Sequence, residues 1–379
     1  MFDKKYKSEL FYHECQEWLN NILETPQKMY HYTSVEVLKS IIQGKCMYAT
    51  HINFMNDWEE YRVGYRILTK EIKKTIEKYR DDFESIIGVD NLDTILSYFS
   101  DECLNVMTYS QINQMEKFKD FRALTMPEVY TISFCKEKDL LSQWAIYAKE
   151  SGVAIEFDFT DFVFCDASLE DAEERTYNKE DWQTIKYYRN NRPHTINYSN
   201  QEMLDKLQEQ VREVVRMIKN PQFASNEEIA RPVTLLRRMT ELYSIVPYCK
   251  LDKFKAENEI RAAFMRLEDW VIKVGEKEGN TYKTKVFYRT ANNVLKPYLK
   301  IGWEAQKTGV YPIKKILIGP GENQEAVFKG VIHFIENQGT EVIPDYKGKV
   351  PFSEPMVDNS YMTCKGIIIQ KSNIPYIFK

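Results

Sequence analysis

Two apolar segments joined by a brief helical stretch constrain the fold of this chain most strongly. Val129–Cys135 and Val153–Phe159 are short apolar runs bounded by turn signals, the pattern of buried strands. Leu140–Lys149 between them has helical spacing, and Gly152 ends the turn that follows it. Because this helix is brief, the two strands are expected to flank it and to share one sheet.

Sheet and helix signals in the rest of the chain predict an α+β fold. Core strands are expected within residues 27–60, 127–160 and 250–345, and helical insertions at about 60–125 and 165–245. No linker rich in Gly, Ser or Pro bounds the second insertion, so residues 1–379 are predicted to form a single domain. The individual strand signals outside the first unit are Met29–Thr33, Cys46–Thr50, Glu259–Phe264, Thr284–Tyr288, Ile313–Ile318, Val342–Ile343 and Gly366–Gln370.

The composition argues against several classes of protein. Lys and Arg total 52 against 56 Asp and Glu, so the net charge of -4 does not indicate nucleic-acid binding. A local basic groove that binds nucleic acid is not excluded by this balance. The 7 cysteines form no CxxC pair and have no histidine at zinc-finger spacing, which predicts reduced thiols and no metal. Without a signal peptide or an apolar run long enough for a membrane span, a cytoplasmic protein with no membrane contact is expected.

A histidine stands on the strand Met29–Thr33 just before a short helix. Thr33 and Glu36 have the spacing of a capping box, and Gly44 supplies a left-handed stop. A histidine held beside a helix N-terminus lies near an anion-friendly site, so His31 could grip a phosphorylated ligand. The alternative is an ordinary half-buried histidine with a structural role.

Two carboxylates and a guanidinium alternate along a second predicted strand. If Phe254–Arg261 enters a strand, then Glu257, Glu259 and Arg261 lie on one face. One interpretation is an exposed strand face with an Arg–Glu pair. The other is a carboxylate pair that stabilises positive charge while a glycosidic bond is cleaved.

Three blocks of sequence resemble a bacterial family of uncharacterised proteins, DUF2971. The first is His-Tyr-Thr on a strand, a helix ending in Gly, then Phe-Met-Asn-Asp-x-Glu. The second is Ile-Ser-Phe-Cys, Trp-x-x-Tyr-Ala and Gly-Val-Ala-Ile-Glu-Phe, and the third is Phe-Lys-x-Glu-Asn-Glu-Ile-Arg. They cover roughly residues 29–60, 129–159 and 250–265.

The first block is also similar to the opening strand and helix of ADP-ribosyltransferases. That resemblance implies a mixed, mostly antiparallel split-sheet core and NAD as substrate. It would make Glu259 the catalytic carboxylate, with Glu257 and His31 assisting, and Tyr147 or Trp144 the aromatic platform for nicotinamide. The residues it implies for NAD binding are His31, Tyr32, Thr33, Asn56, Asp57, Ser133, Trp144, Tyr147 and Arg261. Asn56 and Asp57 could equally cap the long helix that follows them.

The function expected from this resemblance is transfer of ADP-ribose from NAD to a macromolecule, either protein or nucleic acid, as in a toxin or an antiviral-defence effector. One alternative is a non-catalytic module that senses nucleotides or a partner protein in bacterial defence. Another is a carboxylate-pair NAD glycohydrolase or nucleosidase. The transferase interpretation requires His31, Tyr147 and Glu259 to line one cleft.

Overall fold

The computed structural model describes residues 19–55, 58–98, 128–148, 152–169, 186–188, 191–197, 243–266, 284–291, 293–307, 310–344 and 359–375, with single positions 201, 205, 208, 209 and 212. The strands are β1 (Met29–Thr33), β2 (Cys46–His51), β3 (Val129–Cys135), β4 (Val153–Phe157), β5 (Phe162–Asp166), β6 (Tyr187–Tyr188), β7 (His194–Thr195), β8 (Glu259–Met265), β9 (Phe287–Ala291), β10 (Val294–Ala305), β11 (Ile313–Ile318), β12 (Ser360–Met362) and β13 (Ile368–Lys371). The helices are α1 (Val35–Gly44), α2 (Trp58–Lys78), α3 (Arg80–Ile87), α4 (Val89–Tyr98), α5 (Leu141–Tyr147) and α6 (Gln324–Glu336), with 3-10 turns at Ile52–Phe54, Tyr243–Tyr248 and Asp252–Glu257.

All 13 described strands belong to one mixed sheet, which confirms the α+β class. Its main path runs β12-β13-β11-β4-β1-β3-β2-β10-β5-β6, with β7, β8 and β9 attached beside it. The pairing of β11 with β13 is parallel, and the other described pairings are antiparallel. As predicted, β3 and β4 share the sheet, and β1 lies between them.

The sheet forks at β3. All seven residues of β3 pair with β8, from Val129 opposite Met265 to Cys135 opposite Glu259. The other edge of β3 is therefore shared, with β1 pairing at Cys135 and β2 pairing at Tyr130 and Thr131. Because β1 and β2 pair at opposite ends of the same edge, a gap opens between them beside the middle of β3.

The main hydrophobic core covers one face of the sheet, and a smaller one covers part of the other. Leu38 and Ile42 of α1 and Ile335 of α6 are fully buried in the main core with Ile155 and Phe157 of β4. On the opposite face, α5 packs through Trp144 and Ala148 against Tyr30 and Tyr32 of β1. Strand alternation produces this division, because successive side chains of β1 point to opposite faces.

The start and the end of α1 each differ from the sequence prediction by one residue. Ser34, and not Thr33, is the N-cap, and its Oγ accepts a hydrogen bond from Val37 N at 3.3 Å. Thr33 is instead the last residue of β1. At the other end, Lys45 takes the left-handed conformation, with φ 48°, while Gly44 remains helical.

Two of the predicted strand assignments are wrong. Glu257 ends a 3-10 turn, because Asn258 adopts a left-handed backbone with φ 45° and β8 begins only at Glu259. Val342 and Ile343 lie in a turn in which both backbone amides donate to Gly339 O. The longest described strand, β10, was missed because Pro297 and Gly302 interrupt its pattern.

Close backbone packing at Gly152 joins α5 to the sheet. A Cβ at this position would lie 2.6 Å from the carbonyl oxygens of Thr33 and Ala148. We expect Gly152→Ala to lower the free energy of unfolding by about 1–3 kcal/mol, because the carbonyl groups of Thr33 and Ala148 cannot easily move away from the added methyl group. Urea unfolding measures this change.

Gly330 is the matched control, since it lies in α6 and a Cβ there would meet nothing within 4 Å. Gly330→Ala should raise stability by about 0.5–1 kcal/mol through helix propensity. Equal effects of the two substitutions would contradict the packing argument.

Candidate functional site

A cavity of about 340 Å³ opens at the fork of the sheet. Its walls come from β1, β2, β3, α1 and α5, with further residues from β8, β9 and β10. It brings together eight of the residues selected from the sequence, namely His31, Tyr32, Thr33, Ser133, Tyr147, Glu257, Glu259 and Arg261. His31, Tyr147 and Glu259, which lie far apart in the chain, therefore line a single cavity.

His31 is anchored to β3 across the fork. Its Nδ1 lies 3.0 Å from the carbonyl oxygen of Ser133, and its ring meets the edge of Phe134. A carbonyl can only accept, so Nδ1 carries the proton and Nε2 of the neutral ring is a hydrogen-bond acceptor. Burial lowers the pKa of His31, and the positive charge of Arg289 lowers it further against the hydrogen bond to Ser133.

Glu259 is held in a buried ion cluster. Arg261 donates to it twice, from Nε to Oε1 at 2.9 Å and from Nη2 to Oε2 at 2.9 Å. Lys250 Nζ adds a contact to Oε2 at 3.2 Å. Burial alone would raise the pKa of Glu259, but the adjacent charges of Arg261 and Lys250 outweigh it and lower the pKa. The carboxylate is thus ionised although it is nearly inaccessible.

Glu257 joins the same cluster from outside the strand. Lys250 Nζ donates to its Oε2 at 2.8 Å and so bridges the two glutamates. The Glu257 side chain is 22% exposed, against 7% for Glu259. Glu257 does not lie on the strand face that carries Glu259 and Arg261, contrary to the prediction. Lys250 brings the two carboxylates together instead. Glu257 is the more accessible of the two carboxylates.

Two hydroxyls of β3 line the cavity without hydrogen bonds of normal geometry to the described residues. They are Thr131 Oγ1 and Ser133 Oγ, both buried, and they are two positions apart on one face of the strand. Ser133 lies near enough to Glu259 to help lower its pKa. Buried hydroxyls normally have a partner, so these two are available to a polar ligand.

Tyr147 and Trp144, the two candidate platforms on α5, occupy different environments. Tyr147 is 43% exposed and lines the cavity. Trp144 is fully buried, donates from Nε1 to Asp139 at 2.9 Å, and packs edge-on against Tyr32. Helical spacing alone did not separate them, but the contacts give Trp144 a packing role and leave Tyr147 as the accessible ring. Asn56 and Asp57 lie outside the described residues.

The lining residues that sequence reasoning missed include Tyr48, Lys250, Arg289 and Lys296. Tyr48 stacks on Tyr298 with ring centroids 4.3 Å apart. No local pattern marks Lys250, Arg289 and Lys296, which come from separate segments of the chain. Period-two alternation in Cys46–His51 was the one available signal, since it places Tyr48 opposite the core residues Met47 and Ala49.

The cavity is positively charged although the chain as a whole is negative. Its charged lining residues are four cations, Lys250, Arg261, Arg289 and Lys296, and two carboxylates, Glu257 and Glu259. Their formal sum is +2, against -4 for the chain. An anionic ligand would therefore be attracted to this cavity despite the overall charge.

Comparison with known proteins finds one match to a family model, over about a third of the chain. Residues 143–262 match the model described as a protein of unknown function, DUF2971. This match supports the DUF2971 assignment. The DUF2971 match begins within α5 and ends within β8, so it contains Tyr147, Glu257, Glu259 and Arg261 but not His31. No curated protein and no solved structure matches the chain.

Other features of the described residues concern metals, cysteines and membranes. No three His, Cys, Asp or Glu side chains among them are grouped as metal ligands. Of the cysteines that can be described, Cys46, Cys135, Cys165 and Cys249 are free and buried, and Cys364 is free and exposed. Within the same part of the chain, none of the helices combines the length and apolar character needed to cross a bilayer.

The ion cluster predicts a pH dependence of stability. Because folding lowers the pKa of Glu259 below 4.5, its ionised form stabilises the fold above that pH, and this contribution is lost as the pH falls below it. We expect Glu259→Gln to lose less stability than the wild type between about pH 6 and pH 3. Urea unfolding across this range gives the two slopes. Parallel curves for Glu259→Gln and wild type would contradict the prediction.

The environment of His31 predicts its protonation state. We expect the neutral ring with the proton on Nδ1 at pH 7, since burial lowers the pKa below 6.5 and Ser133 O accepts from Nδ1. Nitrogen chemical shifts in a histidine-labelled sample report both the tautomer and the titration. His333, which is exposed on α6, provides a second assigned histidine signal in the same spectrum. A His31 ring that is cationic at pH 7 would overturn this assignment.

Proposed function

We propose that the cavity binds NAD and that the protein is an ADP-ribosyltransferase-like enzyme, which cleaves the nicotinamide–ribose bond and transfers ADP-ribose to a macromolecule. The observation that carries the proposal is that His31, Tyr147 and Glu259 line one positively charged cavity. The fork at β3 also supports the comparison with the split sheet of ADP-ribosyltransferases. A role as a toxin or defence effector is part of the same proposal.

The walls of the cavity suit the parts of a dinucleotide. A volume near 340 Å³ falls within the range of small-molecule sites. His31 Nε2, the acceptor nitrogen, can take a hydrogen bond from a ribose hydroxyl. Tyr147 offers an accessible ring against which nicotinamide can stack. Thr131 and Ser133 supply two more hydroxyls for polar contacts.

The proposed reaction breaks one C–N bond and forms one bond to the acceptor. The bonding electron pair leaves with nicotinamide, which becomes neutral, and positive charge develops on the ribose as an oxocarbenium ion. The ionised Glu259 stabilises that charge. The acceptor nucleophile then bonds to the same ribose carbon, and its proton passes to Glu257, the more accessible carboxylate, and from there to water.

We expect Glu259→Gln to reduce transfer of labelled ADP-ribose by about 100-fold or more, because the stabilising charge is removed. Mass spectrometry or radiolabelled NAD measures the transfer.

Glu259 also stabilises the fold, so Tyr147→Ala is the second variant, chosen because the Tyr147 ring is partly exposed, at 43%. Tyr147→Ala should raise the KM for NAD, while circular dichroism shows that the fold persists. Glu36→Gln, which changes an exposed glutamate of α1 outside the cavity, is the matched control for Glu259→Gln. Wild-type transfer rates in both site variants would refute the proposal.

A second candidate is a non-catalytic nucleotide sensor that acts with a partner protein. The observation in its favour is the occupation of both Glu259 oxygens by Arg261 and Lys250, which leaves little of the carboxylate for a substrate. Calorimetry with NAD separates the two functions, because a sensor binds it without turnover. Release of free nicotinamide with no labelled acceptor would instead indicate a glycohydrolase.

A further inference from the structure

The hairpin formed by β9 and β10 places two cations directly opposite each other at the cavity. Arg289 of β9 pairs in register with Lys296 of β10, and both line the cavity wall. Like charges in directly opposed positions repel each other and destabilise an antiparallel pair. No ion pair among the described residues includes Arg289 or Lys296.

Arg289 is held in place by contacts that leave its charge uncompensated. Its Nη2 donates to Thr50 Oγ1 at 2.9 Å, and its guanidinium lies 6.0 Å from the centre of the Tyr298 ring. Both contacts are to neutral groups. The side chain is thus oriented but not neutralised, which is the state expected of a side chain that binds an anion.

We propose that Arg289 and Lys296 bind the phosphate groups of a nucleotide whose ribose lies against His31. This inference rests on the proposed function and deepens it by assigning the phosphate subsite. It explains why two opposed cations persist at one position, since a bound diphosphate would convert their repulsion into two favourable contacts. The bridging diphosphate of a dinucleotide such as NAD, which carries two negative charges, would also match the formal +2 of the cavity.

The position of the pair favours a small nucleotide over the backbone of a nucleic acid. Both cations line the wall of a partly open cavity of about 340 Å³, with Arg289 at its exposed side, and the same cavity contains His31 and Tyr147. Arg289 lies near enough to His31 to lower its pKa, so a phosphate at the pair and a ribose at His31 would be neighbours. Tyr48, 38% exposed and stacked on Tyr298, is a surface for a base.

Calorimetry with ADP and adenosine tests the assignment, because the two ligands differ only in the diphosphate. The wild type should bind ADP at least tenfold more tightly than adenosine, and added salt should reduce that difference. Arg289→Gln and Lys296→Gln should each weaken ADP binding about tenfold and leave adenosine binding unchanged. Lys39→Gln, an exposed lysine of α1 outside the cavity, is the matched control and should bind ADP as the wild type does.

Thermal unfolding distinguishes a binding role from a structural one. Removing one of two opposed cations relieves repulsion, so Lys296→Gln should have a Tm equal to or above that of the wild type. A lowered Tm together with unchanged ADP affinity would overturn the proposal. Equal wild-type affinities for ADP and adenosine, or no binding of ADP, would also overturn it.

The proposed function and the phosphate subsite can fail separately. ADP binding that depends on Arg289 and Lys296, without any turnover of NAD, would refute the proposed reaction and support the phosphate subsite. NAD turnover with an unchanged KM in Lys296→Gln would refute the phosphate subsite and support the proposed reaction. If a single-stranded oligonucleotide competes fully with ADP at similar concentration, the pair belongs to a nucleic-acid surface and the nucleotide assignment is wrong.

Discussion

The complete pairing of β3 with β8 is the constraint on which the candidate site depends. With one edge of β3 fully occupied by β8, β1 and β2 must share the other edge, and they do so at its opposite ends. The gap between them exposes the middle of β3 and lets His31 reach the carbonyl oxygen of Ser133. The same pairing carries Glu259 and Arg261 to the gap, so a backbone hydrogen-bond pattern creates both the cavity and its charged wall.

Burial of charge is the second organising principle of the site. Glu259 can remain ionised inside the protein only because Arg261 and Lys250 surround it, and their combined contacts outweigh the cost of desolvation. Arg289 and Lys296 are in a different state, since their described contacts leave two opposed cations without carboxylates. The cavity thus has a neutralised inner wall and a cationic one. That asymmetry suits a ligand with its phosphates at one end and a sugar or ring at the other.

Local patterns in the sequence were sufficient for many elements and insufficient for others. The strands Met29–Thr33 and Ile313–Ile318 were predicted with their observed bounds, because short apolar runs with clear turns admit few alternatives. Strand β10 was missed because Pro297 and Gly302 resemble strand breakers, although its neighbours β2, β5 and β9 hold it in the sheet. Glu257 was misplaced because the left-handed backbone of Asn258 interrupts the period-two alternation.

The sequence by itself determined the α+β class, the strand that carries His31, and the alternation that places Glu259 and Arg261 on one face. These properties depend on near neighbours in the chain, and local spacing encodes them. Only the tertiary structure decided that Tyr147 is accessible while Trp144 is buried, that Lys250 bridges the two glutamates, and that Arg289 faces Lys296. Each of these facts depends on packing or pairing with other elements, and spacing within one segment does not encode such contacts.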